Sequence, residues 1–267
     1  MTKRARETTL AWLPRCTALI LAVVLTAGCA TTNYLREAQD AFNQGAAAEN
    51  AQRLAGGTPQ EALASLTAVR TSYASALLSL DKLSDSDKQS LQKDGLLGSA
   101  LTLKALCQWR LGLYDKALAT AADATSSVPE QIYPRDRALL LALPGLIKTD
   151  QAYDKILRKQ SFDEVKELLV GSKGAVANIQ SARGAVGKEH PVQGYLIQAQ
   201  LAAYRNYTVA LDTFQNHATV PSDDPARGQA ETQLQELNEL LKRSSEDAQR
   251  RALVQYWARL CGLESPS

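Results

Sequence analysis

The apolar and polar positions of this chain nowhere alternate for long enough to make a half-buried strand. Ala and Leu dominate and β-branched residues are sparse. The pattern predicts an all-α fold. Helix starts are marked repeatedly. Thr58-Pro59-Gln60-Glu61 sets a capping hydroxyl, a proline at the first helical position and a glutamate that can reach back to the cap amide. Ser161-Phe162-Asp163-Glu164 repeats the box, and Asp224-Pro225 opens the last long segment. Together with the breaks at Gly56-Gly57, Gly112, Pro129, Pro134, Gly187 and Pro221, these signals predict helices near 33–55, 58–83, 85–111, 114–127, 135–157, 162–186, 192–204, 206–218 and 226–262. Pro144-Gly145 is expected to kink or split the fifth, because proline removes an intrahelical bond and clashes with the preceding turn. Short connections make consecutive helices antiparallel neighbours, so the order implies stacked hairpins.

The amino terminus departs from this pattern. Lys3, Arg4, Arg6 and Arg15 stand against the single acid Glu7, and the apolar run TALILAVVLTA follows from Thr17 to Ala27. That is the charged region and apolar core of a secretory signal. A membrane-spanning helix needs about 20 apolar residues, which this run does not supply. Leu25-Thr26-Ala27-Gly28-Cys29 then resembles a lipobox, with small residues at the two positions before a cysteine and Thr26 where the family prefers Leu. The resemblance implies cleavage of residues 1–28 and lipidation of Cys29, with a diacylglycerol on its thiol and a third, palmitate-type chain on the new amino terminus. Each chain adds about 0.8 kcal/mol per buried methylene, so more than one chain anchors stably. Ala30 rather than Asp after the cysteine implies, within that family, the outer membrane, with the domain facing the periplasm. The expected organisation is an acylated tether over 29–33, one all-helical domain over 34–263 and a flexible end at 264–267.

Composition narrows the reading. The signal removes four basic groups and one acid, moving the net charge from +2 to near −1. No Lys/Arg cluster with interleaved aromatics appears, and Lys242, Arg243, Arg250 and Arg251 are diluted by Glu246 and Asp247, which argues against a nucleic-acid partner. Cys16 leaves with the signal, so Cys107 and Cys261 remain in an oxidising compartment. Two thiols there can form one disulfide, or can stay apart as small buried hydrophobes.

The segment ALCQWRLGLYDKALATAADATSSVP, from Ala105 to Pro129, resembles a tetratricopeptide repeat. Ala105 is small where two helices cross, Gly112-Leu113-Tyr114 makes the turn, and Ala117, Ala121 and Ala124 line one face of the second helix. A fainter copy starts near Gln193, with Tyr207, Ala210, Leu211 and Phe214 at the same offsets and Arg205 in place of the turn glycine. The separation of the two is not a multiple of the ~34-residue period, so an irregular helical bundle stands beside a TPR-like α-solenoid as the expected architecture. In the family, first helices line a concave groove. The resemblance implies that Thr102, Leu106, Trp109 and Arg110 face a partner here, while the apolar character of the helix equally allows Trp109 to be core.

Catalytic patterns do not assemble. ARGAVGKE, at 182–189, lacks the first glycine and the metal-binding hydroxyl of a phosphate loop. Ser79-Leu80-Asp81-Lys82 and Ser90-Leu91-Gln92-Lys93 match S-x-x-K with no SDN or KTG after them. His190 and His217 have no second ligand at metal spacing. No cofactor, metal or catalytic residue is expected. The sequence points to a non-enzymatic, membrane-anchored scaffold that binds another envelope protein in assembly, secretion or export. The alternative is a lipoprotein that delivers a small solute or lipid to a transporter.

Overall fold

The computed structural model of this protein describes residues 30–55, 59–242 and 245–263. Among them every regular element is a helix. The chain divides into two compact units, Met1–Tyr133 and Pro134–Ser267, where the sequence suggested one domain over 34–263. The expected signal over 1–28, the acylation site Cys29 and the flexible end at 264–267 lie outside the described residues. Ala30 already belongs to a helix, so the part of the expected tether that is described, residues 30–33, is helical.

In the first unit, α1 (Ala30–Ala55) and α2 (Pro59–Asp81) form a pair. Leu35, Ala38, Phe42 and Gly45 of α1, and Val69, Tyr73, Ala76 and Leu80 of α2, recur at three and four residues and are buried. Contacts of Ser79 with Glu37 and of Tyr73 with Glu49 run in opposite directions along the two helices, which makes the pair antiparallel. Gly45 gives Tyr73 its seat, since a Cβ there would lie 3.0 Å from the ring. The proposed cap Thr58 is outside the described residues, and Pro59 opens α2 as expected.

The single helix expected over 85–111 is two, α3 (Asp85–Lys93) and α4 (Leu97–Arg110). Gly95 takes φ +69°, and the Leu96 amide returns to the Leu91 carbonyl at 2.8 Å, closing α3 in the manner of a C-terminal glycine cap. A capping box at Ser84 and Asp87 starts α3. After Gly112, at φ +77°, α5 (Tyr114–Ser127) folds back on α4. Ala105, Ala117, Ala121 and Ala124 are all buried, so small side chains bring the helices of this hairpin together. A 3-10 turn at Pro129–Gln131 packs so closely on α4 that a Cβ on Gly98 would sit 2.5 Å from the Gln131 carbonyl oxygen.

The second unit holds α6 (Pro134–Leu157), α7 (Phe162–Val170), α8 (Ala175–Gly184), α9 (Val192–Gln215), α10 (Pro225–Leu241) and α11 (Asp247–Leu260). Helix α6 runs through Pro144 without splitting. The missing amide is tolerated because Gly145 sits against α8, where a Cβ would meet the Ala175 carbonyl oxygen and Ile179 Cγ1 at 2.8 Å, so packing holds the segment on both sides of the proline. The helix expected over 162–186 breaks at Gly171–Gly174, where Asn178 Nδ2 donates to the carbonyls of Lys173 and Gly174 at 2.8 and 2.7 Å. Ser161 caps α7 by accepting from the Glu164 amide. The expected helices over 192–204 and 206–218 are one, α9, and Arg205 lies exposed within it. The second repeat copy therefore lacks the turn that the resemblance required. Tyr204 and Tyr207 on either side of Arg205 are buried, and continuous core packing favours an unbroken helix over a turn that has no glycine to make it. The stretch 226–262 is divided between α10 and α11.

Candidate functional site

The row expected to face a partner sits on α4 and is mostly core. Thr102, Leu106 and Trp109 are 2%, 7% and 5% exposed. Thr102 Oγ1 donates to the Gly98 carbonyl one turn back, so its hydroxyl is satisfied within the helix. Trp109 is therefore the core residue that an apolar helix allows, and the groove reading of Thr102, Leu106 and Trp109 is corrected accordingly. Arg110 is the polar end of the row. Its guanidinium lies 4.0 Å over the Trp109 ring, and Nη1 donates to Glu49 Oε1 at 3.2 Å. Tyr73 donates its hydroxyl to the other Glu49 oxygen at 3.0 Å. Residues from α1, α2 and α4 thus meet in a partly buried polar cluster that fixes how the three helices pack.

The two cysteines stay free, so the disulfide alternative gives way to the buried-hydrophobe one. Each is buried within its own unit. Burial pushes both thiols up to about 12, with the Asp81 carboxylate adding to the effect at Cys107 and the Arg205 guanidinium opposing it at Cys261. Thiols so protonated are poor nucleophiles and poor metal ligands.

Sequence reasoning missed a polar cluster of the second unit. Arg183, near the end of α8, donates from Nε to Gln193 Oε1 at 3.0 Å and from Nη1 to Gln200 Oε1 at 2.7 Å. Nη1 also reaches Gln180 and Gln233, and Nη2 pairs with Glu236. Gln200 is fully buried, and its amide donates to the Val176 carbonyl and to Gln180 at 3.2 and 3.0 Å. Gln193 returns its own amide to the Arg183 carbonyl at 3.0 Å. One guanidinium thereby ties α8, α9 and α10 together through glutamine oxygens. Nothing local in the sequence marks it, because its members are spread from residue 180 to residue 236 and each reads alone as a solvated polar position.

Other candidate groups are occupied by structure. Ser79 sits beside Glu37 at 3.5 Å, and His190 Nδ1 accepts from the Val192 amide at 3.2 Å. Among the described residues no three His, Cys, Asp or Glu side chains gather as a metal site. An open depression of about 500 Å³ is lined by Lys155, Asp163, Glu164, Glu167 and Leu168, and the Lys155–Glu164 ion pair at 2.7 Å crosses it. Beside these, Tyr153 and Leu157 of α6 stand 40% and 64% exposed, four residues apart on one face. Ala152 and Ile156, each one position earlier, are buried. No helix among the described residues is long and apolar enough to cross a membrane. The chain matches no known protein family, no curated protein and no solved structure.

Proposed function

We propose that this chain is a lipid-anchored, non-catalytic helical scaffold that binds another protein of the bacterial envelope. The amino-terminal charge pattern, the short apolar run and the lipobox-like Leu25–Cys29 stretch support the anchor, outer-membrane attachment and a periplasmic position. The observation that carries the binding reading is the exposed pair Tyr153 and Leu157. Adjacent apolar side chains one turn apart on a helix are the anchors by which helices seat in a partner's groove. Burying a Leu side chain is worth about 1.5–3 kcal/mol, and here that energy is left unused by the fold. Tyr adds a rigid aromatic contact with a hydroxyl that can find a partner. On this proposal the binding face lies on α6 of the second unit, while the α4 row packs as core of the first.

The test uses the acylated protein extracted from membranes after mild crosslinking, with co-purified proteins identified by mass spectrometry. One specific envelope protein should appear with the unaltered chain and disappear with Tyr153→Ala/Leu157→Glu, while the circular dichroism of the variant stays unchanged. Mass spectrometry of the mature amino terminus should find Cys29 acylated, and Cys29→Ser should release the chain from membranes. Recovery of the same proteins with both chains would sink the α6 face, and an unacylated Cys29 would sink the anchor.

A further inference from the structure

We propose that α11 is a strap that leaves the second unit as a piece while α6 to α10 stay folded. Three features of its seat argue for this. First, none of its 14 residues is fully buried, whereas α10 and α9, against which it lies, bury residues from Ala226 to Leu237 and from Val192 to Leu211. Its inward side, Val254, Trp257 and Ala258, only half enters the core. Second, that side carries polar atoms shut away from solvent with no hydrogen-bond partner: Gln249 Oε1, Arg250 Nε and Trp257 Nε1. Each forfeits its hydration on docking and gains nothing in return, and each recovers it when the helix lifts away. Among the described residues of the second unit, the buried side-chain atoms without a hydrogen-bond partner are all on α11, so docking carries this cost there.

Third, the polar hold is concentrated at one end. Past the last turn, the Cys261 thiol donates to the Leu201 carbonyl at 3.5 Å and the Val220 amide donates to the Gly262 carbonyl at 3.3 Å. Arg227 closes the clasp, donating from Nη1 to the Val220 carbonyl at 3.0 Å and from Nη2 to the Leu263 carbonyl at 3.3 Å. Gly262, at φ +63°, lies so tightly here that a Cβ would meet Thr208 Cγ2 at 2.6 Å. Release of this clasp frees the helix, because what remains is a half-buried face with orphaned polar atoms. Lifting α11 uncovers the part of α9 around Leu201 and Thr208.

Native-state hydrogen exchange on the full chain, read by mass spectrometry of peptic peptides, tests this together with alkylation of Cys261. Amides of 247–263 should exchange through an opening that leaves 192–215 and 225–241 protected, and Cys261 should be alkylated with the same opening constant as those amides. Arg227→Ala should raise that constant, and Gln249→Leu, which removes one orphaned acceptor, should lower it by about tenfold. Loss of protection over 247–263 together with 192–215 or 225–241 in one event would overturn the proposal. So would alkylation of Cys261 while the amides of the first half of α11 stay protected, which is the mark of terminal fraying. An unchanged opening constant in Gln249→Leu would remove the orphaned atoms as its cause and overturn the argument as made.

Discussion

Replacing Arg183 by Met keeps most of the side-chain volume and deletes the guanidinium that the buried glutamines face. Gln193, Gln200 and Gln233 are 5%, 0% and 7% exposed, and their carbonyl oxygens accept from Arg183. Each oxygen left without a donor costs about 1–3 kcal/mol, and the side chains can rotate to recover part of it, so a loss of about 4 kcal/mol is expected. The ion pair with Glu236 adds little, because that carboxylate is 44% exposed and its charge is screened. Against the roughly 5–15 kcal/mol that hold a domain, this is a large fraction. Urea unfolding followed by far-ultraviolet circular dichroism and by tryptophan fluorescence gives the measurement, since Trp257 is the tryptophan of the second unit, where Arg183 lies. Glu236→Gln is the control and should cost under about 1 kcal/mol. A loss under about 1 kcal/mol in Arg183→Met would refute the reasoning, because it would mean that the glutamines find other donors at no cost.

Gly145→Ala gains up to about 1 kcal/mol of helix propensity and loses more by forcing a Cβ toward the Ala175 carbonyl, so a net destabilisation of about 1–2 kcal/mol is expected in thermal melts. A raised melting temperature would contradict it. Trp109→Ala should cost about 3–5 kcal/mol as a core truncation, while Leu157→Ala should change stability by no more than about 0.5 kcal/mol, which paired urea titrations check. The raised thiols set a pH dependence. Above about pH 9 an unfolded chain ionises Cys107 and Cys261, whereas the folded units hold both protonated to about 12, so stability is intact below pH 9 and falls as pH rises through that window. The slope approaches about 1.4 kcal/mol per pH unit for each thiol, and buried Tyr204 and Tyr207, also raised by burial, steepen it above pH 10. A urea midpoint that stays flat from pH 8 to pH 10 would count against it.

The all-helical class was legible because capping residues and turn glycines act locally. Gly112, Ser161 and Asp224-Pro225 did what their chemistry dictates. Breaks at 94–96 and 171–174 were harder to foresee, because Gly95 and Gly171 resemble the glycines that helices tolerate, and only the return bonds from Leu96 to Leu91 and from Gly174 to Gly171 show them as ends. At Arg205 and Pro144 the reverse held. Local signals suggested interruption, and long-range packing of Tyr204, Tyr207 and Gly145 kept both helices whole. The α4 row failed as a groove for a related reason. A tryptophan beside an arginine reads the same whether it meets a partner or closes over Glu49 of its own chain, and only the fold distinguishes the two. The Arg183 cluster was invisible because its members come from three helices.

Helix α1 is already formed at Ala30, the first described residue and the one after the expected acylation site. On the proposed reading the slack between bilayer and fold is then at most a single residue, about 3.5 Å of chain. A floppy leash would let the scaffold sweep a hemisphere and meet partners deep in the periplasm. This connection works more like a hinge pin. Under the proposed anchoring it would hold the first unit at the membrane surface, tilting and turning about one point, and leave it to meet partners that present themselves within reach of that surface.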